Sequence, residues 1–322
     1  MPHSVRRRMI AQRRKFTGEA TEQAAPGVRG RSHGLDECTL EQRRFRAVLA
    51  VLMLNEHTDH NLGQDTVARC IASSVLRQMI HISARPDELV VLSDIPHHLI
   101  QKVLPRDVAS TVHGIPGLRC LDADPDGRWY RFLHVGTGGM FRLQYAGPTP
   151  EEYCFRPEPD WPDSWNPVTP LQTLTENEAH VLAQIPAMHD DLETLLAGLV
   201  VRLSCKDPDD RWALGELDWD PLRRRHPKAV TYRRYLWGSG NDWILHYNGP
   251  IPADDIAVAL TDARIGIAGA RIAGHQDGLV RVERGTASLE ISNYTAPYDR
   301  VRPFAPRTPP SRHRPAERAL RT

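Results

Sequence analysis

Cysteine is scarce in this sequence, and no two cysteines form a C-x-x-C pair. The five cysteines lie far apart, at positions 38, 70, 120, 154 and 205. An odd number of widely spaced cysteines argues against a disulfide framework and against a zinc site made of thiolates. Because disulfides are rare in reducing compartments, this cysteine usage predicts a cytoplasmic protein.

Long apolar runs are missing as well. The run that follows Arg46 is about eight residues long, whereas a membrane-spanning helix needs roughly 18 or more apolar residues. The arginine-rich N-terminus is not followed by the apolar segment that a secretory signal peptide requires. The sequence therefore predicts a soluble protein that has no membrane partner.

Short catalytic motifs are also absent. The sequence contains no G-x-S-x-G, no H-E-x-x-H and no G-x-x-x-x-G-K-S/T. The glycine-rich stretch 136–139 precedes a strand-like segment, so a hairpin turn is expected there rather than a phosphate loop at a helix start. The sequence predicts no cofactor, does not favour an enzyme and resembles no family that we recognise.

Two clusters of histidine and acidic residues, at 56–60 and at 189–193, leave a metal-dependent hydrolase open as an alternative, although a solvated helix face is the simpler interpretation of the second. The stretch Glu56–His60 contains two histidines and two carboxylates, and these residue types bind divalent metals. His97 and His98, at an expected helix start, are further candidates. Since no remote third ligand can be identified, a polar loop with exposed histidines is the simpler interpretation, and no metal site is predicted.

Tryptophan is concentrated in strand-like segments. Such rings would form a base-stacking platform for single-stranded nucleic acid if they lay exposed beside arginines. Burial in the core is the commoner role of so large a ring. The residues concerned are Trp129, Trp212, Trp219, Trp237 and Trp243.

Lysine is scarce too, so almost all of the basic residues are arginines. The net charge of +1 conceals a strong asymmetry along the chain. Residues 1–31 carry eight Lys and Arg against two Glu, and residues 300–322 carry seven Arg against one Glu, so each end has a net charge of +6. The remainder has a net charge of −11, because +1 less two ends of +6 leaves that value. Two basic ends beside an acidic body indicate a polyanionic partner.

The pattern along the chain predicts an α+β protein with two mixed helix and antiparallel-sheet regions. We expect these regions at 35–147 and 171–296, joined by a Pro- and Trp-rich linker at 148–170. A flexible basic arm is expected at 1–34, and a disordered Pro- and Arg-rich tail at 297–322.

Several local signals refine this prediction. Capping boxes predict helices that begin near Thr39 and Thr175, and Pro186 should interrupt the second of them. After that helix, alternating residues predict a strand over 199–205, followed by a turn at 207–210. The turn sequence DPDDRW at 207–212 resembles DPDGRW at 124–129, which leaves open whether the two halves are a duplication.

The leading functional hypothesis is a nucleic-acid-associated protein that contacts the phosphates of DNA or RNA through its basic segments. A protein interaction module that docks the same tails on acidic partners is an alternative. Sequence preference and oligomeric state stay open. The predicted phosphate-contacting residues are Arg6, Arg7, Arg8, Arg13, Arg14, Lys15, Arg223, Arg224, Arg225, Arg312 and Arg314.

Overall fold

The fold is α+β, as predicted, with helices packed against two five-stranded mixed sheets. It was obtained as a computed structural model. The described residues are 3–55, 79–93, 96–108, 111–146, 168, 173–212, 214, 234–247, 251–276 and 278–293.

Three helices open the described chain. They are α1 (His3–Thr17), α2 (Thr21–Ala24) and α3 (Leu40–Met53). The predicted start of α3 is confirmed, because the Thr39 side chain accepts a hydrogen bond from the backbone N–H of Gln42. Phe45, Leu49 and Leu52 line the buried side of α3, so its apolar periodicity directs it into the core.

The first sheet follows α3. Its strands are β1 (Met79–Ala84), β2 (Leu89–Ser93), β5 (Leu118–Ala123), β6 (Trp129–His134) and β7 (Met140–Tyr145), in the spatial order β1-β2-β7-β6-β5. Helix α4 (Pro96–Val103) and a ribbon of β3 (Arg106–Val108) and β4 (Thr111–His113) lie between β2 and β5 in sequence. Strand β2 runs parallel to β7, and the other pairs are antiparallel.

The second half of the chain repeats this plan. Its elements are α5 (Glu176–Ala183), α6 (Asp190–Arg202), β8 (Arg234–Ser239), β9 (Asp242–Tyr247), α7 (Ala253–Thr261), β10 (Ala270–Gln276), β11 (Leu279–Arg284) and β12 (Ala287–Asn293). The strands lie in the order β10-β11-β12-β9-β8, and β9 runs parallel to β12. The predicted capping box at Thr175 is confirmed, since its side chain and that of Glu178 bond each other's backbone N–H groups.

Buried side chains from both halves form one continuous hydrophobic core. Helices α3 and α6 pack against each other, and most of the buried apolar residues of both sheets belong to the same cluster. Val168 is the one residue of the expected linker at 148–170 that lies among the described residues. The expected tail at 297–322 lies outside them.

Residues 3–34 do not form the flexible arm that their charge suggested. Helix α1 buries Ile10, Arg13 and Phe16, and the Ser83 hydroxyl of β1 donates a hydrogen bond to the Gln23 carbonyl at the end of α2. The prediction of a flexible arm was wrong because it was based on net charge alone. Arg13 lies on the buried side of α1, where a buried ion pair with Glu19 neutralises its charge.

The strand predicted over 199–205 is also wrong in its first part. Helix α6 continues to Arg202, because burial of Leu199, Val200 and Val201 outweighs the β preference of the valines. The turn that follows is correct. The N–H of Asp207 bonds the Trp212 carbonyl at 2.8 Å, and Asp210 takes the left-handed backbone conformation with φ of 55°.

Two tryptophans can be assigned to the core. Trp212 and Trp243 are each 1% exposed, which contradicts the stacking-platform interpretation for them. Trp129 and Trp237 are half-buried, and Trp219 lies outside the described residues. The expected turn at 136–139 is confirmed, since it joins β6 to β7.

None of the helices in the described ranges has both the length and the apolar character that a membrane crossing requires.

Candidate functional site

Helix α1 presents a basic face to solvent. Arg7, Arg8, Arg14 and Lys15 are all exposed, and we call these four residues the basic face. At about 100° per residue, they fall within an arc of about 120° on the helix. The helix contains no acidic residue that could neutralise them, so the positive charge is concentrated on one surface.

Arg13 anchors α1 to the body of the protein and does not belong to the basic face. Its Nε and Nη2 atoms donate to the two carboxylate oxygens of Glu19 at 2.6 and 2.9 Å, and both side chains are fully buried. Nη2 also donates to the Ala84 carbonyl in β1 at 2.9 Å. The prediction that Arg13 contacts phosphates is therefore wrong, because its guanidinium is already committed inside the protein.

The buried side of α1 contacts the second half of the chain as well. Phe16 stacks on Trp212, with ring centroids 6.0 Å apart, and the Arg264 guanidinium lies 4.7 Å from the centre of the Phe16 ring. Gln12 donates to the Arg264 carbonyl at 3.0 Å. Because both halves hold α1, the helix that carries the basic face is already anchored before a ligand binds.

Other basic residues lie in the segments next to α1. Arg29 and Arg31 are exposed in the loop that follows α2, and Lys206 is exposed where its backbone N–H bonds the Phe16 carbonyl at 2.8 Å. Arg6 is exposed and donates to the Ala25 carbonyl at 2.8 Å. These residues add exposed positive charge in segments that precede, follow or contact α1.

An aspartate network limits the positive region beyond Phe16. Arg264 pairs with Asp207 at 2.7 Å, with Asp209 at 3.1 Å and with Asp262 at 3.1 Å. Arg211 also pairs with Asp207 and Asp262. Three carboxylates against two guanidiniums leave this neighbouring surface with no excess positive charge, so a polyanion would be directed towards the exposed side of α1.

Three buried arginines hold the segment 33–36 from three different helices. Arg13 donates to the His33 carbonyl at 3.3 Å, and Arg46 of α3 donates to the Leu35 carbonyl at 3.2 Å. Arg202 of α6 forms a bidentate ion pair with Asp36 at 2.6 and 2.8 Å.

Burial, helped by this cationic surrounding, keeps the nearby histidine neutral. Burial, and then the charge of Arg202, lower the pKa of His33 to about 4, so its ring is neutral at pH 7. Burial likewise lowers the pKa of the Arg46 guanidinium. The arginines have internal partners and serve to fix the chain, which makes this a structural cluster.

A second buried histidine has a structural role too. The Pro116 carbonyl, 2.8 Å from Nε2 of His134, can only accept, so Nε2 carries the proton and Nδ1 accepts from the Thr137 hydroxyl at 2.9 Å. Burial lowers the pKa of His134 to about 4. With both nitrogens bonded inside the protein, His134 fixes the end of β6.

The described residues offer no metal site and no activated thiol. No group of three or more metal-binding side chains is found among them. The stretch Glu56–His60 lies outside the described residues, and only the backbone of His97 and His98 is described. Burial raises the pKa of the Cys205 thiol to about 12, so that thiol stays protonated.

Comparisons of the chain with protein-family models, with curated proteins and with solved structures find no match. The function therefore has to be argued from the geometry and the charge of the described residues.

The predicted phosphate-contacting residues divide into three groups. Five of those in α1 are exposed, and Arg13 is buried. The remaining five residues, Arg223, Arg224, Arg225, Arg312 and Arg314, lie outside the described residues. The predicted set left out the exposed Arg29, Arg31 and Lys206, although the net charge of residues 1–31 already included the first two.

Proposed function

We propose that this protein binds DNA or RNA through the basic face of α1. The observation that carries the proposal is an anchored helix with four exposed cations and no acidic residue. Guanidinium and ammonium groups bind phosphate oxygens, and neutralising phosphates releases condensed counterions. A fixed helix surface of this kind suits the regularly spaced phosphates of a nucleic-acid backbone.

The composition of the basic face determines the kind of binding. Phe16, the one Phe, Tyr or Trp of α1, is buried and is not available to stack on bases. Contacts confined to phosphates carry no direct sequence information. The binding is therefore weakly sequence-specific and steeply salt-dependent.

The proposal places the protein in the cytoplasm, where nucleic acid is accessible and thiols stay reduced. The described Cys38, Cys120 and Cys205 carry thiols rather than disulfides, which supports a reducing environment. An acidic protein would satisfy the basic face through the same charge chemistry, because carboxylates and phosphates both accept hydrogen bonds from Arg.

Binding of fluorescent single-stranded DNA, duplex DNA and RNA to three full-length proteins tests the proposal. The first is the natural chain, and the second is the α1 variant Arg7→Ala/Arg8→Ala/Arg14→Ala/Lys15→Ala. The third is the control variant Arg44→Ala/Lys102→Ala/Arg106→Ala/Arg131→Ala, which removes the same charge from exposed residues elsewhere.

We expect the natural and control proteins to bind at about 50 mM salt and the α1 variant to bind at least tenfold more weakly. Alanine favours helix, so the exposed substitutions should leave α1 folded, which far-ultraviolet circular dichroism checks. Equal loss in both variants would show that only net charge matters. Absence of binding by the natural chain would direct the search to acidic protein partners.

A further inference from the structure

The two sheets have the same connectivity. If the five strands of each sheet are counted in sequence order, their spatial order from one edge to the other is first, second, fifth, fourth and third. The second and fifth strands run parallel in both sheets. In each half a long helix, α3 or α6, is the last described helix before the first strand, and a short crossover helix, α4 or α7, follows the second strand.

The strand registers agree along one row of paired residues in each sheet. In the first sheet one row of paired residues crosses all five strands, and its members are Ile82, Val91, Leu143, Tyr130 and Ala123. In the second sheet the matching row is Leu236, Leu245, Ile291, Val280 and His275. The first four members of both rows are buried, so equivalent positions face the core.

An irregularity in the pairing is repeated as well. In β5 the register shifts between Cys120 and Asp122, and in β10 it shifts between Ile272 and Gly274. In each sheet the shift lies next to the last residue of the matching row, which is Ala123 in β5 and His275 in β10. A bulge depends on one particular inserted residue, so its recurrence at one position indicates a common origin rather than a common fold class alone.

Each half closes the sheet edge of the other. Two residues beyond the end of α3, the Asn55 side chain donates to the Leu236 carbonyl at 2.9 Å and accepts from the Leu236 N–H at 3.1 Å. Two residues beyond the end of α6, the Ser204 hydroxyl accepts from the N–H of Ile82 at 3.0 Å. Ile82 and Leu236 are equivalent positions in the matching rows, so the exchange is reciprocal.

One contact places the symmetry axis. In the first turn of α3 the backbone N–H of Arg43 bonds the Thr39 carbonyl. In the first turn of α6 the backbone N–H of Glu193 bonds the His189 carbonyl, so Arg43 and Glu193 occupy equivalent positions. These equivalent residues form an ion pair with each other at 3.3 Å. In a two-fold arrangement, equivalent residues meet each other only beside the axis, which therefore passes between α3 and α6.

We infer that residues 40–146 and 190–293 are two copies of one unit that are assembled as a two-fold dimer, with α3 and α6 as its interface. The partner that this surface fits is a second copy of the same unit, supplied here by the same chain. Contacts between α3 and α6, together with the contacts of α1 to the second half, hold the two units together.

The similarity between the turn sequences at 124–129 and 207–212 does not come from this duplication. The turn at 124–129 joins β5 to β6, and the equivalent connection in the second sheet lies between the end of β10 at Gln276 and the start of β11 at Leu279. The turn at 207–212 follows α6 instead. Both turns bond an aspartate to the residues four and five positions later, as in Asp124 with Arg128 and Asp207 with Arg211. Their likeness therefore comes from shared turn chemistry.

A cleavable full-length protein tests the inference. A protease site inserted within 148–167 is cut after folding, and the product is analysed by size-exclusion chromatography under native conditions. We expect the two fragments to elute together at the 36.3 kDa of the intact chain and to separate only in denaturant. Fragments that separate or precipitate on cleavage would overturn the inference.

Charge exchange at the axis provides a second test. We expect Arg43→Glu or Glu193→Arg alone to raise the dissociation constant of the cut halves at least fivefold, because each places like charges together. The combination Arg43→Glu/Glu193→Arg restores an opposite pair and should bind more tightly than either single variant. Additive weakening in the double variant would mean that the two residues do not meet at the axis.

Discussion

Replacement of Arg13 by methionine tests how α1 is held. The guanidinium forms a bidentate ion pair with Glu19 and donates to the carbonyls of Ala84 and His33. Methionine has a similar length and no charge. The substitution therefore leaves the Glu19 carboxylate buried, with the Thr17 hydroxyl, at 2.8 Å, as its remaining side-chain donor.

The expected loss of stability follows from that burial. Removing one partner of a buried pair typically costs 3–5 kcal/mol, because the other charge is left uncompensated. The Thr17 hydrogen bond and partial entry of water offset some of this cost, so we expect Arg13→Met to lower the free energy of unfolding by about 3 kcal/mol. The double variant Arg13→Met/Glu19→Met removes both charges, and it should recover about 2 kcal/mol of that loss.

The free energy of unfolding is measured by urea denaturation for the natural chain, for Arg13→Met, for Glu19→Met and for the double variant. These four proteins form a double-mutant cycle. Arg271→Met is the matched control, since Arg271 pairs with Glu283 on the surface and is 72% exposed. Its effect should stay below about 1 kcal/mol. If Arg13→Met is no more harmful than Arg271→Met, or if the double variant is the least stable of all, the buried ion pair does not anchor α1.

Two further predictions concern the core. Burial lowers the pKa of His33, His134 and His246 to about 4, so the unfolded state binds more protons below the ordinary histidine value of 6.5. The free energy of unfolding should therefore fall as the pH drops from 6.5 towards 4, and His134 should contribute about 3 kcal/mol of that loss. Urea midpoints that do not change over this pH range would contradict the prediction. A Cβ at Gly139 would lie 2.3 Å from that of Phe45, so Gly139→Ala should cost about 1–3 kcal/mol in the same assay.

Local signals in the sequence predicted local structure well. The caps at Thr39 and Thr175, the interruption at Pro186 and the turn at 207–210 all depend on residues a few positions apart. The interactions that decide each of these features lie within the segment itself. This is why the sequence predicted the α+β class correctly.

Features that depend on distant partners were missed. The last turn of α6 is stabilised by burial between sheets and helices, against the local β preference of Val200 and Val201. The match between the two halves lies in strand registers that only the folded chain reveals. The one sequence likeness that hinted at it, between the turns at 124–129 and 207–212, has a different cause.

The candidate site was predicted in part. Exposed arginines on α1 follow from composition, but the buried role of Arg13 depends on Ala84, 71 residues away. One signal was present in the sequence. Arg13 lies three residues after Ile10 and three before Phe16, which places it on the apolar side of the helix.

The salt dependence of binding tests the central proposal most directly. The logarithm of the association constant for duplex DNA is plotted against the logarithm of salt concentration for the natural chain, the α1 variant and the charge-matched control. Each phosphate contact contributes about 0.9 to the slope, so removal of the four cations of the basic face should reduce the slope by about 3 to 4. The control variant should keep the slope of the natural chain. An unchanged slope in the α1 variant would mean that the basic face does not contact the phosphates.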